Sequence, residues 1–179
     1  ELWNAHQAAK MKLLAFVLEE TGQQLEPDVL TIGFARRAAT YKRADLVFSD
    51  IRRLVEIGKG KVQFIFSGKA HPHDEPGKDI LQKINNIARE LGTELPVVFI
   101  ENYNMGPAKF ITSGVDVWLN TPIRPREASG TSGMKCVHNG IMNFSVLDGW
   151  WIEGCIEGKT GWAIGPEPTE NGMVEYNEA

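Results

Sequence analysis

The sequence predicts an α/β fold in which helices cover both faces of a doubly wound parallel sheet. Three observations carry that expectation. Short apolar, β-rich runs at 29–34, 62–67, 96–100 and 115–119 alternate with amphipathic stretches at helical spacing. The connections between them are short, as expected where each helix packs back on the sheet that its strand has just left. Polar and charged motifs follow the runs directly, at the carboxyl ends of strands where such sheets collect ligands.

Each element has its own local reason. Leu2, Trp3, Ala9, Leu13, Leu14, Phe16, Val17 and Leu18 fall near helical spacing before Gly22, which predicts a leading helical unit within 1–22. The amphipathic stretches at 43–57, 79–91 and 106–113 predict helices between the strands, and another helix begins within 131–140. Residues 144–147 can form a further strand. From Trp162 onward the chain runs into Gly, Pro, Glu and Asn, with Pro166, Pro168 and Gly172 interrupting any element. The expected organisation is a leading helix (1–22), one sheet domain (23–165) and a loose tail or connection (166–179), with no internal repeat.

Composition bounds the function. A chain of 179 residues, 42% hydrophobic, can bury one substantial core. Its net charge of −4 gives no overall attraction to nucleic acid or anionic lipid, so any anion site must be local. Cys136 and Cys155 suit neither a disulfide framework nor a zinc site, and no stretch resembles a signal segment or a membrane span. A reducing, cytoplasmic setting is expected.

Four motifs at strand exits carry chemistry. The first, Gly33-Phe-Ala-Arg-Arg-Ala-Ala-Thr-Tyr-Lys-Arg43, places Arg36, Arg37, Lys42 and Arg43 within eight residues. Such charge at a helix start is unfavourable unless an anion sits among it, and a phosphate would resolve the conflict; a solvated basic turn is the alternative. The second, Ser67-Gly-Lys-Ala-His-Pro-His-Asp74, offers Lys69 as another anion ligand. His71, His73 and Asp74 suit capping or supporting hydrogen bonds better than a metal, since no second ligand cluster accompanies them. The third, Glu101-Asn-Tyr-Asn104, brings Tyr103, either as a ligand donor or as a packed ring with a wet hydroxyl.

The fourth motif is the most specific. Glu127-Ala-Ser-Gly-Thr-Ser-Gly-Met-Lys135 joins a carboxylate, two glycines, three hydroxyls and a lysine in nine residues. Gly130 and Gly133 permit close approach of backbone amides to a ligand, Ser129, Thr131 and Ser132 add hydroxyls, and a helix beginning here would aim its positive end at an anion. A flexible Gly/Ser loop entering a helix is the plainer reading. Pro122 and Pro125 just upstream predict an extended connection that holds Glu127 in place. Downstream, Trp150, Trp151 and Trp162 form an aromatic cluster, in which Trp150 and Trp151 suit core packing more than stacking on a sugar.

Taken in this order and at these separations, the four motifs resemble the carboxyl-terminal half of the α-glucan phosphorylase family, closest to its bacterial and archaeal type. The resemblance covers roughly residues 2–166. It implies a Rossmann-like sheet forming one half of a two-domain GT-B glycosyltransferase architecture. It further implies pyridoxal 5'-phosphate as cofactor and phosphorolysis of the terminal α-1,4 bond of a glucan by orthophosphate to release glucose 1-phosphate. Carried onto these positions, Lys135 is the Schiff-base lysine, and Thr131, Ser132, Arg36 and Tyr103 belong to the cofactor site. Arg37 and Lys42 would hold substrate phosphate, while Glu127, Ala128, Ser129, Gly130 and Tyr41 would meet the sugar.

The sequence departs from the animal-type pattern at Ala39, where that pattern has histidine, and in Thr131-Ser-Gly-Met-Lys135, where it has Thr-Gly-Asn-Met-Lys. Ser132 in place of glycine would either crowd the cofactor phosphate or add a hydroxyl bond to it. The family's amino-terminal half has no counterpart in 179 residues, so the chain is expected to be part of a longer, homo-oligomeric protein and inactive alone. Two rival readings use the same residues. A nucleotide-sugar glycosyltransferase half would spend Arg37 and Lys42 on a diphosphate and leave Lys135 ordinary, and a non-catalytic anion- or glucan-binding module is favoured if the missing half never joins it in the cell.

Overall fold

Successive side chains of a strand point to opposite faces, so a strand covered on both sides must be apolar at every position. A computed structural model, describing residues 1–166, follows this rule over most of its central strands, and the buried polar exceptions Thr31, Gln63, Ser67, Asn120, Asn143 and Ser145 are hydrogen-bonded. Its elements are α1 (Leu2–Thr21), β1 (Leu30–Ala35), α2 (Ile51–Gly58), β2 (Val62–Ser67), α3 (Glu75–Leu91), β3 (Val97–Ile100), α4 (Met105–Gly114), β4 (Val117–Asn120), α5 (Thr131–Val137), β5 (Met142–Val146), α6 (Trp151–Gly154) and β6 (Gly161–Ile164). The strands form one six-stranded parallel sheet in the order β3-β2-β1-β4-β5-β6. This is the doubly wound, Rossmann-like order, with its switch point between β1 and β4.

Each face has its own core. On one, Leu13 and Val17 of α1, Ile111 of α4 and Cys136 of α5 cover Ala35, Ile65, Val98 and Trp118. On the other, Ile84, Ile87 and Leu91 of α3, with Phe48, cover Phe34, Phe64, Phe66, Val97 and Leu119. Where α1 crosses α4, a Cβ placed on Gly114 would lie 2.6 Å from Leu13 Cβ and 2.9 Å from Ala9 O. Neither atom can swing aside. Gly114→Ala is therefore expected to lower stability by about 1–3 kcal/mol, the usual cost of overpacking, read as a fall in the thermal midpoint.

The structure departs from the sequence reading in several places. Residues 43–57 are not one helix: Arg43 sits in the left-handed region (φ 44°), a 3₁₀ turn spans Leu46–Phe48, and α2 starts only after Asp50, whose carboxylate caps the Arg53 amide at 2.9 Å. α3 begins earlier than residue 79, because Asp74 caps the Gly77 amide and Pro76 suits the first turn. Trp162 to Ile164 belong not to a tail but to β6, in register with β5 from Asn143↔Gly161 to Val146↔Ile164. The connection at Arg124–Pro125 turns, with a cis peptide, instead of running extended. Residues 167–179, the bulk of the expected tail, lie outside the described residues.

Candidate anion and cofactor site

β1 and β4 pair only through Ile32↔Val117 and Gly33↔Trp118 and then part. Into the crevice so opened, β1 delivers Arg36 and Arg37, the 3₁₀ turn Thr40–Lys42 delivers Tyr41 and Lys42, and β4 delivers Asn120 and the loop to Glu127. The resulting cavity, about 460 Å³, is lined by these side chains except Asn120, by Tyr103 and Arg126, and by the cradle from Glu127 to Ser132.

The electrostatic centre is Glu127. Its Oε2 accepts from Arg36 Nη2 at 2.5 Å and from Lys42 Nζ at 2.8 Å, and all three side chains are buried. Burial pushes the carboxyl up, but the Lys42 hydrogen bond and the charges of Arg36 and Lys42 outweigh it and hold Glu127 below the ordinary carboxylate range. The crowded basic turn is thus relieved from within the chain, by a carboxylate 85 to 91 residues away, rather than needing a bound phosphate to exist. Arg36, Arg37, Lys42 and Arg126 still set four cations against that single carboxylate in the cavity lining. Arg37 and Arg126 are exposed and form no ion pair among the described residues.

The cradle is held from behind. Asp148 accepts from the Glu127 amide at 3.0 Å and from the Gly149 amide at 2.9 Å, and the Trp150 amide donates to Ser129 O at 2.9 Å. Gly130 takes the left-handed conformation (φ 81°) as the chain enters α5. A Cβ on Gly133 would meet Asn143 Oδ1 at 2.6 Å and Trp150 Nε1 at 3.0 Å, so the second glycine exists to let Trp150 and Asn143 pack under the loop. Trp150 is the floor of the cradle, and Trp151 is a core residue at 1% exposure.

Ser132 Oγ lies buried without a hydrogen-bond partner among the described residues, although buried hydroxyls are ordinarily satisfied. No side chain caps the amides that open α5. Burial pushes the Tyr103 phenol above its ordinary value, with Cys136 adding to this and Arg36 opposing it, so Tyr103 faces the cavity protonated. Burial also drives the Cys136 thiol far up, against the pull of Lys135, and leaves it a packing residue.

Most of the expected residues converge: Arg36, Arg37, Tyr41, Lys42, Tyr103, Glu127, Ala128, Ser129, Gly130, Thr131 and Ser132 all line the cavity. Lys135 does not. It is exposed, one turn beyond Thr131 on α5, and its amine has no ion pair or hydrogen bond among the described residues. Lys69 is exposed outside the lining, and Arg43 braces the next loop by donating to Thr121 O and Pro122 O, each at 2.9 Å. His71 and His73 are exposed, and Asp74 is spent on its cap. Sequence reasoning missed Arg126, whose charge beside Glu127 was the available signal, and Asn120 and Asp148, whose roles depend on contacts no local pattern reveals.

The sequence profile of the family described as carbohydrate phosphorylase matches residues 1–161. The maltodextrin phosphorylase of Thermococcus litoralis is 46% identical over 95% of this chain and 22% of its own length. The glycogen phosphorylase of Aquifex aeolicus is 43% identical over 95% of this chain and 27% of its own length, and that of Mycobacterium tuberculosis is 43% identical over 85% and 18%. The chain therefore spans about a quarter or less of the relatives it matches. With a family profile that spans the cradle and strands β1 to β5, the chain belongs to the carbohydrate phosphorylase family.

Proposed function

We propose that this chain is the cofactor- and phosphate-binding part of an α-glucan phosphorylase, in which orthophosphate cleaves a terminal α-1,4-glucosidic bond to give glucose 1-phosphate. The observation that carries the reading is the cavity itself: four cations around one carboxylate, beside a glycine cradle with an unclaimed buried hydroxyl. Two phosphate groups can sit close together only where several cations and amide dipoles surround them. The relatives, a maltodextrin phosphorylase and a glycogen phosphorylase, support the substrate class.

Pyridoxal 5'-phosphate fits this donor set. Ser132 Oγ, Thr131 and the uncapped opening of α5 suit its phosphate, Arg36 stands in the same cavity, and Lys135 carries the free amine nearest in sequence to the cradle. When bound, the cofactor supplies a phosphate able to give and take a proton toward substrate phosphate. The chain's own residues do the rest. Arg37 and Lys42 hold substrate phosphate. Glu127, itself fixed by Arg36 and Lys42, presents its remaining carboxylate oxygen and the amides behind it to sugar hydroxyls, together with Tyr41. Tyr103 offers a protonated hydroxyl to the cofactor side of the cavity.

On this reading residues 23–165 are one wall of a cleft in a homo-oligomeric, cytoplasmic enzyme, and the other wall lies in the remainder of a longer protein. Among the described residues no helix is long and apolar enough to cross a membrane. Proximity in a closed cleft contributes about 7–11 kcal/mol to such reactions, and one wall cannot close. The chain alone is therefore expected to release no glucose 1-phosphate from maltodextrin above background, and the full-length protein to release it readily; turnover by the chain alone would overturn the half-site view.

The position of Lys135 outside the cavity lining is the one observation favouring a nucleotide-sugar transferase half. Adding pyridoxal phosphate separates the two readings. A shifted cofactor absorbance supports the phosphorylase, whereas an unchanged spectrum with tight nucleoside diphosphate binding supports the rival.

A further inference from the structure

Asn120 ends β4 with its amide buried, at 5% exposure. Its Nδ2 donates to Ser145 Oγ at 3.1 Å, and the Ser145 hydroxyl proton is itself committed to Val146 O at 2.9 Å. Ser145 can therefore only accept from Asn120, which fixes the amide's orientation and leaves Oδ1 facing Arg36 Nη1, from which it accepts. The other nitrogen, Nη2, bonds Glu127 Oε2. One guanidinium is thus pinned at two corners, to a neutral amide on one side and a carboxylate on the other.

From this geometry we propose that Asn120, anchored by Ser145, is a positioning residue for the anion site: it keeps the Arg36 guanidinium directed into the cavity. An arginine beside a carboxylate in a buried site tends toward the two-bond, fork-to-fork pair. Freed from Asn120, Arg36 would turn onto Glu127 with both Nη atoms, and its charge would be withdrawn from any phosphate. The adjacent residue does the same service for the second cation, since Thr121 Oγ1 donates to Lys42 O and Arg43 O, both at 3.0 Å. Asn120 and Thr121 together make the end of β4 the frame on which the basic turn is mounted.

The proposal rests on the cavity's being an anion and cofactor site, and the test separates the two. Asn120→Leu keeps the branched outline and heavy-atom count of the side chain and removes both hydrogen bonds. In the 179-residue chain it is expected to weaken pyridoxal phosphate binding, followed by absorbance, by about tenfold, the usual weight of a hydrogen bond to a charged group. It should also move the Arg36 side-chain resonances in ¹⁵N spectra, with Glu127 titrating at still lower pH as the pair closes. Ser145→Ala, which removes only the anchor, should give the same changes at about threefold. If Asn120→Leu does not fold, Ser145→Ala decides alone. Unchanged affinity and unchanged Arg36 signals in a folded variant would overturn the proposal and leave Asn120 a packing residue. Failure of the unsubstituted chain to bind pyridoxal phosphate would count against the cofactor reading, and the Arg36 signals would then decide the role of Asn120.

Discussion

Glu127→Ala is expected to be the most destabilising single change in the site, costing about 3–5 kcal/mol in denaturant unfolding, because it strands Arg36 and Lys42 as buried like charges. The loss should be recovered in part by millimolar phosphate, since an anion filling the cavity replaces the missing carboxylate. The pH dependence of the unsubstituted chain follows from the same contact. Glu127 ionises at lower pH folded than unfolded, so the unfolded state binds more protons between the two values. Its contribution is complete above the ordinary carboxylate range and is lost as pH falls through the lower, folded value. The alanine variant should lack that segment of the acid unfolding curve; identical curves for the two proteins would mean that the charges are not coupled.

Borohydride reduction of the chain in the presence of pyridoxal phosphate is expected to place the covalent label on Lys135, and Lys135→Ala to abolish labelling of the site. The lysines differ in their availability. Lys42 lies in the cavity but is buried against Glu127 at 2.8 Å. Lys69, like Lys135, is exposed and outside the lining, but it sits on the loop after β2 and not on the helix that opens from the cradle. Lys135 shares a helical face with Thr131, four residues earlier and about 6 Å along the axis, and its amine is unengaged among the described residues. Peptide mapping that finds the adduct on Lys42 or Lys69, with Lys135 free, would overturn the assignment.

Much of the sheet was legible because its strands announce themselves: Val62 to Ser67 reads as a buried strand and is one, buried from Gln63 to Ser67. The break at Arg43 was not, since the apolar spacing through Ile57 continues undisturbed and only a left-handed residue and the Asp50 cap interrupt the helix. β6 escaped because the three residues between Gly161 and Gly165 carry too little pattern to separate a strand from a loop; its pairing with β5 decides the matter. In the site, residue types and order identified the cradle and the basic turn, both local in sequence. What joins them is not local, and a basic turn facing solvent or facing Glu127 is spelled identically. The reading of Trp150 shows the same limit, for its place beneath Gly133 depends on the loop after β5 folding back under α5.

The span of the Glu127 contacts has a kinetic meaning. Arg36 and Lys42 meet a partner 91 and 85 residues away, and Asn120 reaches Arg36 across 84. Contacts of such separation form only after the intervening chain has closed, here through β2, β3 and their helices. No partly folded species lacking the β1 and β4 pairing can own the anion site, so affinity for phosphate or cofactor should emerge in the last phase of refolding and never in an early one. A ligand that recognises only this finished arrangement acts as a clasp on the whole sheet, drawing the population toward the fully closed chain in proportion to its concentration.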